Sequence, residues 1–78
     1  MAIQYTSEEK KYVLLKGNIL KRMEAERVSD AQMATATGMA VRTYKEKKLY
    51  PENFTYPELR RLFIRLKFPE SEILEALT

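Results

Sequence analysis

Three stretches that lead into helical apolar spacing open with a serine or threonine three positions ahead of a glutamate or glutamine: Thr6 before Glu9, Ser29 before Gln32, and Thr55 before Glu58. Each pair reads as a capping box. The hydroxyl accepts from the backbone N–H three residues on, and the longer side chain accepts from the N–H of the cap. Two donors that helical bonding leaves orphaned are thereby satisfied together. Three marked helix starts in so short a chain predict an all-α fold. The stops are marked as well. Gly38 suits the left-handed position just past a helix. Pro51 disfavours helical geometry at Tyr50 and has no N–H to donate, and Pro69 divides the C-terminal segment.

The apolar spacing fills in the helices between these signals. A first helix is predicted over about Ser7 to Arg27, with Tyr12, Leu15, Ile19 and Met23 on its buried stripe and Val13 and Leu20 widening it. Gly17 inside it costs about 1 kcal/mol against alanine, so it marks a close approach or a weak point. A second helix runs from the Ser29 cap to Gly38, and a third over about Val41 to Lys48. A fourth starts at Thr55, with Pro57 in its first turn and Leu59, Leu62, Phe63 and Leu66 facing inward. The last spans about Glu70 to Leu77, with Ile73, Leu74 and Leu77 inward. Tyr50, Phe54 and Tyr56 cluster around the prolines and are expected to pin the loop against the fourth helix. The expected architecture is a compact five-helix domain covering 1–78.

Composition excludes several functions. With no cysteine and no histidine among 78 residues, a disulfide framework, a zinc finger and histidine-based acid–base or nucleophilic chemistry all fall away. No nucleophile–base pair or phosphate-cradling glycine loop can be assembled, so an enzyme is not expected, nor a cofactor or a small-molecule substrate. The acidic trio Glu70, Glu72 and Glu75 is better read as helix-dipole support than as a metal site. The longest apolar run, Tyr12 to Leu15, is far short of the roughly 20 residues that span a bilayer. No membrane association and a cytoplasmic location are expected. The formal net charge is only +3, but its distribution is uneven. Arg42, Lys45, Lys47 and Lys48 gather against Glu46, and the acidic trio sits near the C-terminus.

Residues 29–48, "SDAQMATATGMAVRTYKEKK", combine two short helices with a glycine turn, the outline of a helix-turn-helix. Met33, Ala34 and Tyr44 fall on the inner faces, Met39 in the turn. Ala34 lets the two helices approach closely. Tyr44 is expected to be a buried anchor with its hydroxyl at the surface.

The stretch "VSDAQMATATGMAVRTY" resembles the λ-repressor-like, Cro/CI-type (Xre) helix-turn-helix family. The downstream "YPENFTYPELRRLFIRLKFPESEILEAL" is similar to that family's fourth and fifth helices, so the likeness covers nearly the whole chain. Two features differ from the usual pattern. Asp30 stands where glutamine is common, and Lys47 and Lys48 stand where a bulky apolar residue packs one turn after Tyr44, a place Leu49 is expected to fill by turning inward.

The resemblance implies a DNA-binding transcriptional regulator, a repressor of the kind carried by phages and mobile elements, with the helix over about Val41–Lys48 in the major groove of double-stranded DNA. Val41, Arg42, Lys45 and Glu46 become the base-contact candidates. Arg42 matches guanine O6 and N7, Val41 a thymine methyl, and Glu46 the cytosine amine. Lys45 also suits phosphate, as do Lys47 and Lys48, with Ser29, Gln32, Thr43 and Asn53 as neutral phosphate-contact candidates. A homodimer is expected, its surface drawn from the last helix (Ile73, Leu77) or the N-terminal "MAIQY". The rival expectation is a protein-interaction module, an antirepressor or inhibitor without DNA binding, favoured by Asp30, Glu46 and the aromatic loop "YPENFTY". A binder of structured RNA is a third reading.

Overall fold

The computed structural model describes residues 6–78, so the N-terminal "MAIQY" considered for a dimer surface lies outside the described residues. Five helices follow in order: α1 (Ser7–Glu26), α2 (Asp30–Thr37), α3 (Val41–Leu49), α4 (Tyr56–Arg65) and α5 (Glu70–Leu77), with a short 3-10 turn at Pro51–Asn53. Among the described residues there is no strand.

All three capping boxes form. Glu9 N donates to Thr6 Oγ1 and Thr6 N to Glu9 Oε1, both at 3.1 Å. The Ser29–Gln32 pair closes at 3.2 and 2.9 Å, and the Thr55–Glu58 pair at 3.4 and 2.8 Å. Helices α1, α2 and α4 also end alike. Val28 N reaches back to Met23 O at 2.9 Å, Met39 N to Ala34 O at 2.9 Å, and Phe68 N to Phe63 O at 3.0 Å. In each, the preceding residue adopts the left-handed conformation: Arg27 at φ 53, Gly38 at φ 76 and Lys67 at φ 54. These are Schellman ends, whose apolar residue just past the turn packs back on the helix. Val28 and Phe68 are buried in the core and Met39 lies against it.

Helix α2 packs against both α3 and α4, while α1 packs against α5, α3 and the 3-10 turn. The core between them holds Leu15, Ile19 and Met23 of α1, Met33 and Ala34 of α2, Tyr44 of α3, Leu62 and Phe63 of α4, and Leu66 beyond it. Phe63 and Phe68 pack with ring centroids 5.0 Å apart, and Tyr44 and Phe54 at 6.2 Å. Thr37, the buried polar residue of the core, is satisfied by donating to Met33 O at 2.7 Å. On the far side, Glu72 of α5 accepts from Arg22 at 2.9 Å and Lys21 at 3.2 Å, tying the last helix to the first.

Several inward assignments are corrected. Val13 and Leu20 are exposed instead of widening the α1 stripe, because α5 and the 3-10 turn cover only one side of that helix. In α5 the deeply buried residue is Ala76, with Ile73 packed at the core edge, while Leu74 and Leu77 point to solvent. Leu49 does not turn inward; it is exposed. Of the three loop aromatics only Phe54 is buried, Tyr50 and Tyr56 being exposed. A Cβ on Gly17 would meet nothing within 4 Å, so this glycine serves no close approach.

Candidate nucleic-acid interface

The geometry of the α2–α3 unit begins at Gly38. Its positive φ reverses the chain in two residues, and α3 starts at Val41 with Ala40 as an unbonded cap. Tyr44 then anchors α3 from beneath. Its ring is fully buried, and its hydroxyl, expected at the surface, instead donates to the thioether of Met23 at 3.2 Å. Burial pushes the Tyr44 phenol well above its ordinary value, with the negative charge of Asp30 adding to the effect. Tyr44 is thus a structural pin whose burial disfavours the phenolate.

With Tyr44 inward, Val41, Arg42, Thr43, Lys45 and Glu46 face solvent. Arg42 Nε lies 3.6 Å from Glu46 Oε1, both side chains largely free in water, a contact that contributes little and is readily exchanged. All four base-contact candidates therefore share one exposed helical surface.

The phosphate-contact candidates divide. Thr43 and Asn53 are exposed. Ser29 and Gln32 are exposed too, but already bonded to each other in the α2 capping box. Lys47 and Lys48 are committed inside the domain. Lys47 Nζ donates to both carboxylate oxygens of Glu58 at 2.8 and 3.1 Å, and Lys48 Nζ to Asp30 Oδ1 at 2.6 Å. Burial raises the Glu58 carboxyl, but hydrogen bonds from Lys47 and Thr55 outweigh it and hold the group below the ordinary carboxylate range. These two ion pairs brace the C-terminal half of α3 against α4 and α2. The free charge on the outer side of α3 reduces to Arg42 and Lys45 against Glu46.

No local spacing announces these pairs, since the partners lie 11 and 18 residues apart. Asp30 and Glu58 were legible only as helix-start residues, and their second role depends on how α2 and α4 pack. Arg61 is another residue whose place the sequence left open. Its Nη1 donates to Thr37 O at 3.4 Å, putting a cation at the C-terminal end of α2, which has no basic residue of its own in its last turn.

Among the described residues no group of three or more potential ligands could hold a metal ion, and no helix is long and apolar enough to cross a membrane. No family model matches the chain, and no curated protein or solved structure is significantly similar to it.

Proposed function

We propose that this domain is a sequence-specific, double-stranded-DNA-binding regulator of the Cro/CI type that reads the major groove with α3 and represses by occupying its operator. The observation that carries this reading is the two-sidedness of α3. Tyr44 is fully buried while Val41, Arg42, Lys45 and Glu46 on the same short helix are bare. A helix pinned from beneath and open on its outer side, reached through a tight glycine turn from a capped partner helix, fits a groove about 12 Å wide. Arg42 and Glu46 supply complementary base-edge chemistry, and Val41 an apolar contact.

Because Lys47 and Lys48 already have partners, phosphate contacts fall to Lys45 and to Thr43, Asn53, Ser29 and Gln32. One such module makes few phosphate contacts. A homodimer spanning two half-sites about 34 Å apart supplies the missing affinity. Exposed Leu74 and Leu77 on α5 are its natural contact.

The test is selection of bound duplexes from a random pool, followed by anisotropy titration of the recovered site across a salt series. Arg42→Ala should lose at least tenfold and relax the preference at one base pair. Absence of any enriched sequence, with no binding at about 50 mM salt, overturns the proposal.

A second reading, a protein-interaction module on the same scaffold, is favoured by the internal neutralisation of Lys47 and Lys48. A surface selected only for nucleic acid gains by leaving both cations free. Failure of the selection experiment is the outcome this reading requires.

A further inference from the structure

The cations without a carboxylate partner are not concentrated on α3. Helix α4 carries Arg60, Arg61 and Arg65 on its outer side, and among the described residues none of the three lies in an ion pair, whereas Lys21, Arg22, Lys47, Lys48 and Lys67 all do. Between these arginines, one helical turn from Arg60 and Arg61, Ile64 is 74% exposed, the most exposed large apolar side chain among the described residues. Tyr56, a further turn back, is exposed as well.

Beside this face runs α2, whose outer surface is built of small side chains. Ala31, Gln32, Thr35 and Ala36 form with Arg65 a shallow groove of ≈ 450 Å³ with no carboxylate in its lining. Arg61 stands at the other end of α2. One edge of its guanidinium is held by the Thr37 carbonyl, which orients the group while leaving further donors open.

Unpaired arginines beside an exposed isoleucine and a shallow floor of small residues differ from an ordinary solvated face, where lysine and glutamate dominate, and arginine is the charged residue enriched at interfaces. The small residues of α2 admit the close approach of another helix backbone. An isolated phosphate has no use for Ile64 or for an alanine floor, so the apolar component distinguishes the occupant. From this we infer that the α2–α4 face is a docking site for an acidic amphipathic helix of a partner protein. Glutamates or aspartates one turn apart on that helix pair with Arg61 and Arg65, and its apolar side chains cover Ile64 and the Ala31–Ala36 floor. The site lies off α3, sharing only Gln32 with the proposed DNA contacts, and stands whether or not α3 reads DNA.

The test uses a fluorescein-labelled helical peptide with Leu and Glu at i,i+4 spacing, its sequence-scrambled form of equal charge, and the intact protein. Anisotropy at moderate salt should show the patterned peptide binding at least tenfold tighter than the scramble. The charge-neutral variant Ile64→Ser should lose most of that preference. Arg61→Glu with Arg65→Glu should abolish binding, and Lys45→Ala should leave it unchanged. Equal binding of patterned and scrambled peptides, or an unaltered preference in Ile64→Ser, reduces the face to a nonspecific cationic surface and overturns the inference.

Discussion

Lys48 Nζ lies 2.6 Å from Asp30 Oδ1, with the two side chains only 18% and 26% exposed. Both residues look out of place on the proposed DNA-binding reading, one a carboxylate beside the surface assigned to DNA, the other a lysine at a position expected to be apolar. Together they form one unit. The lysine sets its charge on Asp30, whose negative charge also suits the start of α2.

Disrupting that unit should lower stability and, on the proposed DNA-binding function, raise duplex affinity. A double-mutant cycle of Asp30→Asn and Lys48→Met should give a coupling of about 1 kcal/mol, between the values of exposed and fully buried pairs. In Asp30→Asn the freed Lys48 should raise duplex affinity at low salt and steepen the slope of log K against log salt by about 0.9. Unchanged slope in that variant would show that Lys48 faces away from the backbone.

The hydrogen bond from Tyr44 to Met23 links α3 to α1 through the core. Removing the acceptor strands a buried hydroxyl, whereas removing the donor leaves only a weakly polar sulfur. Met23→Leu should therefore cost about 1–3 kcal/mol and Tyr44→Phe under about 1 kcal/mol, with the double variant close to Tyr44→Phe alone. Urea unfolding of the four proteins measures this directly. Equal costs for the two single changes would contradict the bond's role.

The two glycines should respond in opposite ways to the same substitution. Gly17 lies in the exposed interior of α1 with open space where a Cβ would go, so Gly17→Ala should stabilise by about 0.5–1 kcal/mol. Gly38 sits at φ +76 with Arg61 Nη1 3.5 Å from the Cβ position. There, Gly38→Ala should cost about 1–2 kcal/mol through backbone strain. Thermal melts of both variants test the pair.

Stability should fall on the acid side and again in strong alkali, with little change between. Glu72 is held below the ordinary 4.5 by hydrogen bonds from Arg22 and Lys21, against burial, and Glu58 is lowered as described. The unfolded chain takes up these protons first, so their contribution is complete above about pH 4.5 and disappears as pH falls through the lower folded values. Tyr44 has the reverse sign. Its folded value is raised above 10.0, so its contribution is present below pH 10 and is lost as the unfolded phenol ionises. The absence of histidine removes the usual titration between about pH 5 and 8. Denaturation midpoints across pH should show this plateau, and Glu58→Gln should flatten the acid limb.

Helix starts were legible because a capping box is local. Thr6–Glu9, Ser29–Gln32 and Thr55–Glu58 each satisfy their own backbone within one turn, whatever lies beyond. Gly38 was legible for the same reason, since a left-handed residue favours glycine. So was the exposed row Val41, Arg42, Lys45 and Glu46, because the period of α3 puts it opposite Tyr44. The like ends at Arg27 and Lys67 were not legible as left-handed, because neither is glycine. They persist because Val28 and Phe68 are buried just beyond them, and that burial outweighs a local strain of about 1–2 kcal/mol.

Which side of an amphipathic helix is covered was likewise decided by neighbours. Val13, Leu20, Leu74 and Leu77 have apolar chemistry but no helix above them. Charge was the furthest from legible. Lys47 and Lys48 read in sequence as part of a cationic run, yet Glu58 and Asp30 reach them only after α4 and α2 have packed. Covalent neighbours determine where a helix begins, but a side chain's electrostatic partner is determined by whatever the fold brings within a few ångströms of it.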